Sequence, residues 1–224
     1  DERWRRRPVG LLAGDAVAAA IPLSGALYYL RRALDPYVEL RVGDLASLLS
    51  REISVLILAD HVVAAGPEAA MLANWVEKGG LLLRFAGPRV AQERASDMAE
   101  QPDALLPVKL LAGDRQLGGA MSWSQPAGLD SFPPSSPFAG LKVPAEVRVT
   151  RQVLAQPDAR LADATWARLA DGTPLVTHAT RGLGRLVLFH TTANADWSDL
   201  ALSGLFVDML RRLVALSAGV SGIT

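Results

Sequence analysis

The sequence predicts an α/β fold, namely a doubly wound three-layer sandwich with a mainly parallel sheet and an antiparallel C-terminal meander. Two observations carry this prediction. Up to residue 95, short apolar runs alternate with amphipathic helical segments across short connections, which is the pattern of β–α units in a parallel sheet. After residue 164, alternating segments are separated by glycine turns, which is typical of antiparallel strands.

The composition indicates a globular domain that buries a core without covalent staples. The 224 residues are 50% hydrophobic and 21% charged, and 23 Lys and Arg balance 23 Asp and Glu. A balanced chain has no electrostatic footprint for nucleic acid, so nucleic acid is excluded as a partner. The chain has no cysteine, which excludes disulfides, thiolate metal sites and cysteine nucleophiles.

The first β–α unit follows the basic run RWRRRP. Residues Val9–Ala13 are predicted as a strand, residues 14–22 as a loop and residues 23–34 as a helix with leucines on one face. The alternative is a membrane span from residue 9 to residue 30, because this stretch carries a single charge. A glycine-aspartate pair and a proline interrupt it, and an aspartate at the centre of a membrane helix costs about 2.5–3.5 kcal/mol. The strand–loop–helix interpretation is therefore favoured.

Three further β–α units follow. The predicted strands are Tyr37–Arg41, 54–60 and Leu81–Phe85, and the predicted helices are Leu45–Ser50, Glu68–Lys78 and Val90–Glu100. The run VLILA has no polar residue, as expected of a strand buried on both faces. Pro67 suits the first turn of a helix, and a glycine pair ends that helix before the next strand begins.

The second half of the chain is predicted to be richer in strands and loops. The predicted strands are Leu105–Leu110, Ala145–Leu154, Thr165–Ala170, Pro174–Ala179 and Arg185–His190, with a proline-rich loop at 128–141. A final helix is predicted from Trp197 or Ser198 to about Ser217, with Asp196 or Ser198 as its N-cap. The predicted organisation is a basic tether at 1–7, a single α/β domain at 8–217 with a β-rich portion at about 105–190, and a tail at 218–224.

The candidate site lies beyond the carboxyl ends of the parallel strands, where open α/β sheets bind their ligands. The residues predicted to line this crevice follow the predicted strands or stand near their ends: Asp15, Asp60, His61, Gly87, Arg89, His190 and Trp197. The alternative is structural. Asp15 and Asp60 would then only cap loops and helices, and Trp197 would be a packed aromatic residue.

Several motifs carry no chemistry. His178 and His190 fall about 13 Å apart on the predicted hairpin, so they do not share a metal. A zinc site from Asp60, His61 and His190 lacks any ligand spacing to support it. The GLG motif precedes a strand rather than a helix, and the terminal GVSG misses the nucleophile-elbow pattern by one position. We predict no metal and no cofactor.

The order of motifs resembles a known family. The segments SVLILAD, WVEKGG, LLLRFAG and GLGRLVLFH resemble the class I glutamine amidotransferase-like (flavodoxin-like) fold over nearly the whole chain. More closely, they resemble its non-enzymatic version in bacterial membrane proteins that have an aerotolerance-regulator-type double-transmembrane N-terminus. The resemblance places the nucleophile elbow at 85–87, the catalytic histidine at His190 and the acid at Thr192. No cysteine and no acid stand there, so the triad is lost.

The expected function follows from this loss. We expect a non-catalytic interaction or sensing domain of a larger membrane-associated bacterial protein, tethered to the membrane and contacting other domains of that protein or its complex. Its oligomeric state and its side of the membrane stay open, with the periplasm as one candidate. The alternative is a small-ligand-binding domain or a hydrolase-like enzyme that uses the crevice. A third possibility is docking of Arg3 and Arg5–Arg7 on an anionic membrane surface.

Overall fold

The computed structural model describes residues 6–13, 25–95, 103–118 and 124–217. The strands are β1 (Pro8–Leu12), β2 (Glu39–Gly43), β3 (Val55–Ala59), β4 (Leu81–Phe85), β5 (Arg115–Gln116), β6 (Ala127–Gly128), β7 (Arg148–Val149), β8 (Arg151–Gln152), β9 (Thr165–Arg168), β10 (Pro174–Arg181) and β11 (Gly184–Phe189). The helices are α1 (Ala26–Leu34), α2 (Leu45–Leu49), α3 (Pro67–Glu77), α4 (Pro88–Ala95) and α5 (Gly204–Leu216), with a 3₁₀ turn at Leu200–Leu202. Arg3 and Arg5 lie outside the described residues.

The main sheet has seven strands in the order β2-β1-β3-β4-β11-β10-β9. The first five strands in this order run parallel to one another, and β10 and β9 continue the sheet as an antiparallel meander. The predicted fold class is therefore confirmed. The β10–β11 hairpin closes at the predicted glycine turn, where Gly182 adopts a positive φ of 58° that favours glycine.

Two apolar layers hold the helices on the sheet. On one face, α1 and α5 cover Val9, Ile57 and Phe85. On the other face, α2 and α3 cover Leu56 and Leu82. Because the central strands are buried on both faces, they are nearly continuous apolar runs, as parallel sheets require. This produces the helix–sheet–helix sandwich.

The predicted strand Leu105–Leu110 is wrong. The segment forms turns and bends, and only Leu110 pairs, in an isolated bridge to Ala155. The reason is local, because Asp103 accepts the Leu105 N–H through its side chain (2.9 Å) and the Leu106 N–H through its carbonyl (3.3 Å). Such an Asx-type turn competes with an extended strand.

The C-terminal helix begins later than predicted. It starts at Gly204 with Ser203 at the N-cap position, so Asp196 and Ser198 do not cap it. The Trp197 carbonyl instead accepts the backbone N–H groups of Thr150 (2.8 Å) and Arg151 (3.2 Å). These long-range bonds hold residue 197 in a bend, next to the isolated bridge between Ser198 and Val149, so the helix begins later.

Two other predicted elements differ in extent. The strand predicted at Ala145–Leu154 is broken into β7 and β8, because Thr150 turns its backbone N–H and its hydroxyl toward Trp197. Helix α4 begins at Pro88, two residues before its predicted start, since proline is tolerated in a first turn. Residues 96–102, where its predicted end falls, lie outside the described residues.

Candidate functional site

The carboxyl ends of β1, β3, β4 and β11 meet at one edge of the sheet, as predicted. The Asp60 N–H donates to the Phe85 carbonyl (2.9 Å), and the Ala86 N–H donates to the Phe189 carbonyl (2.8 Å). The residues that follow the strands are thereby brought together. Asp15 lies outside the described residues, so its predicted place in the crevice stays a prediction.

Asp60 caps helix α4 across the sheet. It adopts a positive φ of 48°, and its carboxylate accepts the backbone N–H groups of Arg89 (3.1 Å) and Val90 (3.0 Å). Burial raises the pKa of Asp60 above its usual value, although these two hydrogen bonds oppose the shift. Asp60 therefore caps a helix, as the structural alternative predicts, and each of its carboxylate oxygens accepts one backbone hydrogen bond.

Gly87 has no side chain because Asp60 fills the space. A Cβ atom at this position would lie 2.7 Å from both Cβ and Oδ1 of Asp60. The requirement for glycine is one of close approach rather than of a left-handed backbone. The loop after β4 therefore has the tight shape of an elbow, but it packs a carboxylate and presents no nucleophile.

His61 is held by a neighbouring acid. Its Nε2 lies 2.5 Å from Glu68 Oε1 on α3, and its backbone carbonyl accepts a hydrogen bond from Arg84 Nη2 at 3.0 Å. Both side chains are only partly exposed. His61 is thus fixed at the edge of the crevice and paired within the protein.

His190 is sealed in the core, although it follows β11 as predicted. Its exposure is 0%, its Nδ1 lies 2.8 Å from the Val153 carbonyl, and its Nε2 lies 2.9 Å from the Thr177 hydroxyl. A carbonyl only accepts, so Nδ1 carries the proton and Nε2 accepts from Thr177. Burial lowers the pKa of His190 to about 4. The ring is therefore neutral at pH 7.

Trp197 is also packed rather than open. It is 1% exposed, and the guanidinium of Arg151 lies 4.8 Å from the centre of its ring. Trp197 belongs to an apolar cluster with Ala86, Val90, Ala91, Leu110, Val153 and Leu188. We call this cluster the plug, because it fills the carboxyl edge beyond β4 and β11. Within the part of the chain that the structure describes, that half of the edge has no open crevice.

The other half of the edge holds a cavity of about 200 Å³. Its walls are residues at the ends of β1 and β3 and at the start of α1, together with three polar residues that follow β3 and β4; they are Leu12, Gly25, Ala26, Leu27, Ala59, Asp60, His61 and Arg89. Three predicted site residues thus line one cavity. Arg89 is exposed, so its guanidinium is the group most available to a ligand.

Sequence reasoning missed a buried ion pair beneath this edge. Arg84 on β4 is 2% exposed, and its Nη1 donates to Asp103 Oδ2 at 2.7 Å. The same guanidinium reaches the His61 carbonyl. The available signal was a single charge inside the apolar run LLLRF, because a buried arginine requires a partner.

The described ranges contain neither a cluster of metal-ligating side chains nor a membrane-spanning helix. No group of three or more His, Asp or Glu side chains there is arranged to hold a metal ion. No helix in the same ranges combines the length and the apolar character needed to cross a membrane.

Comparison with known proteins gives the fold and no family. No protein-family profile and no curated protein matches the chain. A cytoplasmic protein from Salmonella typhimurium LT2 matches with a TM-score of 0.60 at 10% identity, over 94% of this chain and 98% of its own. A second cytoplasmic protein from Salmonella typhimurium matches with a TM-score of 0.57 at 13% identity, over the same shares.

The third similar structure is part of an enzyme. A β-galactosidase from Rahnella sp. R3 matches with a TM-score of 0.61 at 13% identity, over 96% of this chain and 32% of the enzyme's chain. This chain therefore spans about a third of the β-galactosidase. At such identities the likeness extends to the fold alone.

Proposed function

We propose that this chain is a non-catalytic α/β domain of the class I glutamine amidotransferase-like type. It would act as an interaction or sensing domain of a larger membrane-associated bacterial protein, with other domains of that protein or its complex as partners. The observation that carries the proposal is the elbow position. Ala86 and Gly87 are buried there without a reactive atom: Ala86 is part of the plug, and Gly87 packs against the Asp60 carboxylate.

The remaining histidine does not rescue catalysis. Thr177 and His190 have the spacing of a nucleophile and its base, but both are 0% exposed. No substrate carbonyl reaches a hydroxyl that is enclosed on every side. Thr192, at the position of the acid, supplies a hydroxyl instead of a carboxylate, and no described residue hydrogen-bonds to that hydroxyl.

The test is an assay of the full chain for glutaminase, esterase and peptidase activity. We expect rates at the level of a buffer blank. An activity that both His190→Ala and Thr177→Val abolish, with each variant folded by circular dichroism, would overturn the proposal. Thr177→Val is the more conservative variant, because it removes only the hydroxyl and keeps the packed volume.

The second candidate function is small-ligand binding or hydrolase-like chemistry in the 200 Å³ cavity. The observation that favours it is the convergence of Asp60, His61 and Arg89 on one cavity with apolar walls. A thermal-shift screen with metals, nucleotides, sugars and amino acids tests it, because a ligand at 100 times its Kd stabilises by about 2.7 kcal/mol. A shift that Arg89→Ala removes and that the exposed control Arg160→Ala keeps would establish binding in this cavity.

A further inference from the structure

Strand β2 forms an open edge of the main sheet. It pairs only with β1. The Glu39 N–H donates to the Arg7 carbonyl (2.9 Å), and the Gly43 carbonyl accepts the Ala13 N–H (3.0 Å), so the odd-numbered residues face β1. Because backbone groups alternate sides along a strand, Leu40 and Val42 direct their N–H and C=O groups outward. Among the described residues, none accepts or donates a hydrogen bond to these groups.

The opposite edge of the sheet is covered. Beside β9, the Asp130 N–H donates to the Arg168 carbonyl (2.9 Å) and the Ala170 N–H donates to the Gly128 carbonyl (2.8 Å). No such segment covers β2 within the described ranges, and Val42 is 42% exposed. An uncovered edge with an apolar side chain is a template for a strand from another chain.

The charges on β2 are complementary to the same strand in antiparallel orientation. Glu39 and Arg41 lie on one face, where Arg41 Nη2 contacts Glu39 Oε1 at 2.7 Å, and both side chains retain exposed surface. If a second β2 pairs antiparallel about a two-fold axis at Leu40, Glu39 of each copy lies directly opposite Arg41 of the other. The two Leu40 residues then form a hydrogen-bonded pair on the opposite face.

A shift of the axis by one residue loses this match. With the axis at Arg41, the two arginines lie opposite each other, and like charges in that position are destabilising. We propose that two copies of this chain associate through antiparallel pairing of their β2 edges about a two-fold axis at Leu40. The interface is isologous, so it closes as a dimer rather than growing into a fibre.

This dimer goes beyond the proposed function, because β2 lies outside the elbow and the plug. It holds whether or not the domain has an activity. Pairing through one short strand gives an interface at the small end of the range for protein complexes, so association depends strongly on concentration. The tests therefore compare concentrated with dilute protein.

The first test uses single cysteines in the full chain, which has no native cysteine to confuse the result. Leu40→Cys places two thiols on residues whose Cα atoms lie about 5.5 Å apart, within the range of a disulfide. Val42→Cys places them about 13 Å apart along the strands. We expect mild oxidation of concentrated protein to crosslink Leu40→Cys and to leave Val42→Cys monomeric on a non-reducing gel. Equal crosslinking of both variants, or of neither, would overturn the proposed pairing.

The second test uses charge and backbone variants in sedimentation equilibrium. Glu39→Arg should raise the dimer dissociation constant about tenfold, since it turns two attractive pairs into repulsive ones. The double variant Glu39→Arg with Arg41→Glu should restore the wild-type dissociation constant. Val42→Pro should abolish the dimer, because it removes an outward N–H that the described fold does not use.

The control for these variants is Leu183→Lys, which changes a 71% exposed leucine in the β10–β11 turn and should leave the dissociation constant unchanged. Circular dichroism checks that each variant is folded. A wild-type chain that stays monomeric at millimolar concentration, or a Val42→Pro variant that still dimerises, would refute the proposal.

Discussion

The two halves of the carboxyl edge differ in what covers them. Beyond β4 and β11 lies the buried plug, which includes Ala86 and Trp197, whereas beyond β1 and β3 a cavity of about 200 Å³ remains. The half that the family resemblance marks for catalysis is the sealed one. A side chain that follows a parallel strand is therefore not accessible to a ligand by its position alone, because segments later in the chain can bury it.

The largest expected effect comes from the buried ion pair beneath this edge, between Arg84 and Asp103. Asp103→Ala leaves the charge of Arg84 buried without its carboxylate, and we expect the free energy of unfolding to fall by about 3–5 kcal/mol. Chemical denaturation measures this loss. The double variant Arg84→Met with Asp103→Leu removes both charges and should cost less than the single change.

A matched control is the exposed ion pair between Arg181 and Glu77, whose atoms lie 3.1 Å apart. Glu77→Ala should cost no more than about 1 kcal/mol, because water screens that pair. Losses of similar size for Asp103→Ala and Glu77→Ala would mean that burial does not set the strength of the first pair.

This ion pair also marks the limit of what the sequence predicts about the structure. The four parallel strands and the first helices were predictable, because apolar runs such as VLILA and punctuation such as Pro67 act locally. Three of the predicted crevice residues, Asp60, His61 and Arg89, do line one cavity. What the sequence concealed was set by partners distant along the chain, including Asp103 for Arg84.

The same reasoning explains the errors in the second half. The segment 103–164 has short strands whose pairing partners are distant, so no periodicity marks them. Trp197 lies a few residues before helix α5 in the sequence, yet its carbonyl accepts the backbone N–H groups of Thr150 and Arg151. Burial of His190 likewise depends on Val153 and Thr177, which no local pattern predicts.

Burial of His190 in the sealed half should make the free energy of unfolding depend on pH. In the folded chain the pKa of His190 is about 4, below the ordinary value of 6.5 because burial disfavours the charged ring. Between pH 6.5 and 4 the unfolded chain binds the extra proton. The free energy of unfolding therefore falls as the pH is lowered through this window, by roughly 3 kcal/mol for this residue.

Denaturation of the wild type and of His190→Gln at pH 7 and pH 4 tests this effect. The variant should lose most of the difference between the two pH values, whatever its absolute stability. Asp60 has a raised pKa, so its contribution has the opposite sign and favours the folded state as the pH falls. An unchanged pH dependence in His190→Gln would contradict the sealed, neutral ring.

Gly87→Val tests the close packing of Gly87 against Asp60 at the boundary between the two halves. The new side chain would overlap the Asp60 carboxylate, and overpacking of this kind costs about 1–3 kcal/mol. Gly204→Val is the control, since a Cβ there has no neighbour within 4 Å. A double-mutant cycle with Asp60→Gly should show a smaller loss from Gly87→Val, and additive losses would mean that the two residues do not compete for space.

The smallest effect is expected for Asp60 itself, on the side of the open half. Asp60→Ala removes the cap of α4 and should cost about 1 kcal/mol, within the usual range for caps. Asp60→Asn should cost less, because asparagine keeps one acceptor oxygen and tolerates the positive φ of 48°. Equal losses for the two variants would mean that the charge of the carboxylate, rather than its hydrogen bonds, holds the helix. Asp60 both caps α4 and lines the cavity. A ligand bound in the cavity should therefore reduce the loss of unfolding free energy caused by Asp60→Asn only if the ligand itself contacts α4.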